Sequence, residues 1–199
     1  MVGVAVSLVL SLALGLAGGY VVRSALGRAL SRGTRRLLEP IRGGVWVAAG
    51  LVAVSDGVND GQKAMGIAAG ALVASGSLAT FSIPFWLRVA VASALALGTA
   101  VGGGRIIRRV ATGYYRPGPV DAFSAEVSAA VVIFGAATLG APVSTSETVA
   151  ASVVGAGADQ NPRHVRWAGV AATVSAWAFT VPSCAVLAAI AYSCETLFR

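Results

Sequence analysis

Five stretches of this chain run without a charged residue: Val2 to Val22, Ala64 to Leu87, Val89 to Gly104, Val127 to Ser146 and Trp167 to Cys194. Crossing a hydrocarbon core of about 30 Å takes about 20 helical residues at about 1.5 Å each, and several of the runs reach that length. The pattern predicts an all-α polytopic membrane protein. A single transmembrane domain over residues 1–199 is expected, with spans near 2–22, 44–75, 84–104 and 167–192 and a helical hairpin over 122–158. Met1 to Val22 has no basic start, and its apolar stretch outruns the usual signal peptide, so it reads as a retained helix.

Two stretches carry polar interruptions. Between Gly43 and Ser75 lies Ser55-Asp-Gly-Val-Asn-Asp-Gly-Gln-Lys63, with three charges and two glycines. Each charge at the centre of a lipid-facing helix costs about 2.5 to 3.5 kcal/mol on insertion scales, so a helix broken over 56–62 is expected. Between Ala122 and Ala158 the interruption is Leu139-Gly-Ala-Pro-Val-Ser-Thr-Ser146. Here the arginines decide the topology.

Of fifteen basic residues fourteen are arginine, and most fall in three groups between the apolar runs: Arg23 to Arg42, Arg105 to Arg116, and Arg163 with Arg166. Arginine-rich loops face the cytoplasm. A single crossing over 122–158 would put the third group outside. A re-entrant hairpin keeps all three together and is the form expected, beside a helix broken at mid-depth; two full spans with an external tip are the alternative, and each leaves the N- and C-termini outside a multi-pass cell-membrane protein. Arg88, one turn into its span, can snorkel to the outer interface. The composition agrees, being 56% apolar and 12% charged with 25 glycines. The net charge of +7 therefore reports orientation and contact with the anionic bilayer surface, and no nucleic-acid partner is expected. Cys184 and Cys194, about 15 Å apart along one helix, are too distant to bridge and read as apolar packing residues.

Backbone freed at an interruption is tolerable at depth only when buried in protein or lining a cavity. Ser144-Thr-Ser-Glu147 has the capping-box spacing, so a helix is expected to restart there, and Asn59 or Asp60 is expected to cap a second one from Gly61. Two helix N-termini would aim their positive ends at whatever lies between them, and an anion suits that place. Ser144, Thr145 and Ser146 offer neutral hydroxyl donors, Gln62 an amide, and Lys63 a charge. The carboxylates of Asp56 and Asp60 would repel an anion unless protonated or neutralised, which with Asn59 makes them candidate ligands of a coupling cation. Gly66-Ile-Ala-Ala-Gly70 has the spacing for close helix approach.

Ser55-Asp-Gly-Val-Asn-Asp-Gly-Gln-Lys-Ala-Met-Gly66 and Ala141-Pro-Val-Ser-Thr-Ser-Glu147 resemble the two signature segments in the C-terminal half of PiT-type inorganic phosphate transporters. The similarity runs through Ile83-Pro-Phe-Trp, Arg105-Ile-Ile-Arg108 and Val165-Arg-Trp167, covering roughly Val45 to Tyr192. The resemblance implies a symporter of inorganic phosphate with Na+ or H+, built from two inverted repeats with re-entrant hairpins, without a cofactor and not an enzyme. Asn59, Asp60 and Gln62 match its Asn-Asp-x-Gln, and Ser144, Thr145 and Ser146 its Ser-Thr-Thr. Asp56 and Glu147 stand where the family usually has histidine, and the N-terminal repeat has no counterpart in this sequence. The chain is thus expected to act as one repeat beside a second repeat from a separate chain or another copy. The alternative is a truncated or accessory membrane subunit that keeps the fold without transporting.

Overall fold

The protein is described by a computed structural model over residues 2–31, 38–114, 116–141 and 143–197. Among the described residues are six α-helices, α1 (Val2–Ser31), α2 (Leu38–Ala74), α3 (Phe85–Gly113), α4 (Pro119–Thr138), α5 (Thr145–Gln160) and α6 (Trp167–Leu197), with a 3₁₀ turn at Pro162–His164. Five stretches among the described residues are long and apolar enough to cross a membrane, Val6–Ser31, Glu39–Ala74, Phe85–Gly104, Pro119–Thr138 and Trp167–Ile190. The all-helical, multi-pass expectation is met. The helices outrun the expected spans, however. Helix α1 continues to Ser31 past Arg23 and Arg28, and α3 continues through Arg105, Arg108 and Arg109 to Gly113. Arginine is a good helix former, so a helix need not end where its uncharged run ends.

The chain divides into two compact units, Met1–Val165 and Arg166–Arg199. In the first, α4 sits in the middle, packed against α1, α2 and α5, while α1 also packs on α5 and α3 on α2. The core is built of small and hydroxyl side chains: Ser124, Ile133, Thr148 and Ser152 are fully buried, with Ala125, Ala129 and Ala156 beside them. The buried hydroxyls donate one turn back along their own helices, Ser124 to the Val120 carbonyl (2.7 Å), Thr148 to Ser144 (2.9 Å) and Ser152 to Thr148 (2.9 Å), so that none of these three is stranded. In apolar surroundings association rests on close packing, and here it is closest between α1 and α5. A Cβ on Gly15 would lie 2.8 Å from the Thr148 carbonyl oxygen, one on Gly19 2.2 Å from that of Ser152, and one on Gly155 2.1 Å from that of Leu16. These helices touch through their main chains. Gly66 and Gly70, the pair expected to do this, meet nothing within 4 Å. Their spacing is correct, but they do not face a packed neighbour.

Helix α2 corrects a second expectation. Residues 56–62 do not break it: the helix is continuous from Leu38 to Ala74, and neither Asn59 nor Asp60 is a cap. Several of the polar groups find partners without a break. Ser55 donates to the Leu51 carbonyl at 2.8 Å, Lys63 pairs with Asp60 one turn back, and Asn59 is 2% exposed against protein. Gly57 and Gly61 cost helix propensity, roughly 1 kcal/mol each, but remove no hydrogen bond. At about 1.5 Å per residue the 37 residues of α2 span roughly 55 Å, well beyond a hydrocarbon core, and a Glu39–Arg42 pair marks the polar first turn. Beyond the helix end at Ala74, Gly76 with its φ of +72° lets Ser77 donate back to the Leu72 carbonyl at 2.9 Å. Arg88 then turns back to donate to the Ile83 carbonyl (3.1 Å) at the start of α3.

The second unit holds helix α6, whose described residues are mostly exposed, and Cys184 and Cys194, expected as packing residues, are free and exposed. Pro182 lies inside it and removes one backbone donor. Thr180 and Ser183 donate to the Ala176 (2.8 Å) and Phe179 (2.7 Å) carbonyls around it.

Candidate functional site

Helices α4 and α5 form a hairpin whose tip is residues 139–144. Gly140, at φ +66°, ends α4 in a left-handed cap, with Ala141 donating to the Ala136 carbonyl at 2.9 Å and Gly140 to that of Ala137 at 3.2 Å. Ser144, extended at φ −87° and ψ 109°, is the N-cap residue of α5 as expected. Its side chain makes no cap hydrogen bond, so the expected capping box is present in position only. The first amides of α5 consequently have no side-chain acceptor from the cap, which leaves an N-terminus with donors to offer.

The tip is tied to α2 at the Val143 carbonyl. The Val143 carbonyl oxygen accepts from Asn59 Nδ2 at 3.0 Å and from Lys63 Nζ at 2.9 Å. Lys63 also pairs with Asp60 at 2.7 Å, and Asn59 Nδ2 lies 3.4 Å from the same carboxylate. With about 100° of rotation per residue, positions 56, 59, 60 and 63 share one face of α2. That polar stripe therefore joins the two chain segments through Val143, more than eighty positions away from Asn59.

The remaining candidates fall around this junction unevenly. Thr145 is buried at 7% exposure and Ser144 is half-buried, both immediately after Val143. Asp56 is half-buried, and its Oδ1 is enclosed without a hydrogen-bond partner. Gln62 and Ser146 are exposed, which leaves the site open on one side. Gln62 follows Asn59 by three positions and is turned from it by roughly 60° around the helix. The contribution of the Val143 carbonyl could not be seen in side chains, although the spacing of Asn59 and Lys63, four apart on one face, signals a shared partner. Among the described residues no three His, Cys, Asp or Glu side chains gather to hold a metal ion.

The chain matches the model of the phosphate transporter family over residues 28–188. It is 38% identical over 148 residues to a probable low-affinity inorganic phosphate transporter of Rhizobium meliloti (strain 1021), covering 74% of this chain and 44% of the relative. A protein of the same description from Bacillus subtilis (strain 168) is 38% identical over 147 residues, 73% of this chain and 44% of the relative. One from Mycobacterium tuberculosis (strain ATCC 25618 / H37Rv) is 36% identical over 160 residues, 79% and 38% respectively. The chain thus spans less than half the length of these relatives. No solved structure matches it.

Proposed function

We propose that this chain, which belongs to the phosphate transporter family, carries inorganic phosphate across the membrane by symport with a cation, Na+ or H+, as one repeat of a two-repeat assembly. The family is one of transporters rather than enzymes, and no covalent step is needed. The observation that carries the reading is the junction at Val143, where Asn59 and Lys63 bring the first signature segment to the second.

The division of labour follows from chemistry. Thr145 and Ser144 at the start of α5 supply hydroxyls, and the helix supplies amides and a positive end, so phosphate docks there with Ser146 and Gln62 at the open rim. Asp60, with Asn59 and Asp56, provides the oxygen ligands or proton acceptor for the coupling ion. Between the two stands the Lys63 ammonium, which holds the anionic carboxylate while the cation is away. Loading with both ions shifts the hairpin between two accessible states. The exposure of Gln62 and Ser146 supports a second repeat that covers them in the complete assembly. The arginine groups support a cytoplasmic location for the open end of a re-entrant hairpin, with both termini outside.

Phosphate uptake into proteoliposomes tests this, comparing the chain alone with the chain beside a second repeat. Thr145→Val is expected to lower uptake by about tenfold or more, the loss of one buried charge-assisted hydrogen bond, with membrane insertion unchanged. Full uptake by that variant removes the hydroxyl assignment. Absence of uptake and of phosphate binding in every combination favours an accessory subunit.

A further inference from the structure

At the end of the hairpin opposite its tip, α1 makes a contact that phosphate and cation binding do not explain. Arg23 of α1 donates from Nε to Asp121 Oδ1 in the first turn of α4, and its Nη1 lies 3.9 Å from Asp159 Oδ2 in the last turn of α5. One guanidinium therefore spans both ends of the hairpin. The Arg23, Asp121 and Asp159 side chains are only 16%, 3% and 14% exposed. Asp121 also accepts from the Gly118 amide at 2.9 Å and so fixes the start of α4. Gly27, one turn further along α1, makes room for the fork: a Cβ there would lie 2.7 Å from Arg23 Nη1.

The two ends of the hairpin are held in different ways. At the tip, a single main-chain carbonyl is tied by two side chains, one of them the half-exposed Lys63. At the base, a half-buried guanidinium faces the buried Asp121 and the half-buried Asp159, and parting such a group from its partners leaves the Asp121 charge stranded away from water. The adjoining α1–α5 contact runs main chain to main chain at Gly15, Gly19 and Gly155. We propose that Arg23 is a positioning residue that clasps the base of the hairpin to α1, making it the fixed hinge about which the tip moves. Resting on the transport reading above for its functional half, this inference places the moving boundary between the tip and α2 and leaves α1 and the hairpin base as one body.

Thiol accessibility in the full chain in membranes tests the hinge without requiring transport. In a Cys184→Ser, Cys194→Ser background, reporter cysteines are placed at Ala158 beside the base and at Ala141 at the tip. Arg23→Gln is expected to raise the labelling rate at position 158 about tenfold by local opening, with position 141 unmoved. Arg23→Lys, which keeps the charge but loses the fork, gives an intermediate rate, and the exchange Arg23→Asp with Asp121→Arg recovers protection. Should Arg23→Gln fail to insert, Gly27→Val displaces the fork with every charge retained and raises the rate at 158 in the same direction. No change at 158 overturns the hinge, and so does an equal rise at both reporters, the mark of a loosened bundle. In an assembly that takes up phosphate, Arg23→Lys is expected to lower the maximal rate with KM unmoved, because the hydroxyls at the tip are untouched. A raised KM at full maximal rate overturns the hinge even where labelling agrees. Absence of uptake by the unsubstituted assembly counts against the transport reading alone.

Discussion

Gly19→Leu lowers the thermal midpoint of the isolated chain by roughly 6 to 12 °C, the shift that about 3 kcal/mol produces in a chain of this size. The cause is geometric. A Cβ at position 19 would lie 2.2 Å from the Ser152 carbonyl oxygen and 2.9 Å from its carbon, and a main chain inside a helix cannot turn aside. Helices α1 and α5 must separate, at the upper end of the 1 to 3 kcal/mol typical of overpacking. Gly155→Leu repeats the insult from the other side, against the Leu16 carbonyl at 2.1 Å. Gly98→Ala in α3 is the control: its Cβ meets nothing within 4 Å, and the gain in helix propensity raises the midpoint by a degree or two. Thermal unfolding in detergent, followed by the loss of the monodisperse peak, measures all three. Equal midpoints for Gly19→Leu and the unsubstituted chain would mean that the α1–α5 contact does not hold the bundle together.

That contrast shows where reading residues alone runs out. Hydropathy locates apolar helices because lipid acts on each side chain separately, and so the apolar runs of α1, α3 and α6 were legible. It cannot say which glycine faces another helix. Gly66 and Gly70 have the same spacing as Gly15 and Gly19, but only the second pair meets a neighbour closely. The continuity of α2 was hidden for a related reason. The cost of its polar stripe depends on partners far along the chain, above all the Val143 carbonyl, and once these are supplied there is nothing to break the helix for. The clasp was concealed by a rule that usually works. Counting the clustered arginines as marks of the cytoplasmic side leaves none of them to be noticed as an internal ion-pair partner, and Arg23 is counted with its group. The helix restart at Ser144 and the grouping of Asn59 with the hydroxyl segment were legible, because helix starts and polar residues within apolar runs carry their own local signal.

Asp60→Asn in an assembly that takes up phosphate lowers cation-stimulated uptake about a hundredfold, roughly 2.7 kcal/mol, and leaves the fold intact. The two halves of that expectation have separate grounds. The Asp60–Lys63 pair is an i,i+3 pair with side chains 42% and 37% exposed, and such pairs contribute at most about 1 kcal/mol. Its loss does not part the hairpin from α2, because Asn59 and Lys63 both keep the Val143 carbonyl as acceptor. A cation, by contrast, loses the full negative charge that it would neutralise, and an amide oxygen cannot replace it. Lys63→Met supplies the opposing test. Removing the tethered ammonium frees Asp60 for the coupling ion, so half-saturation moves to lower cation concentration, while the tip, held by Asn59 alone, loses one of its two ties. Uptake measured against Na+ concentration and against pH, with circular dichroism to check helix content, separates the two effects. If Asp60→Asn kept the cation dependence of the unsubstituted assembly, the carboxylate would be a structural partner of Lys63 and the coupling ion would bind elsewhere.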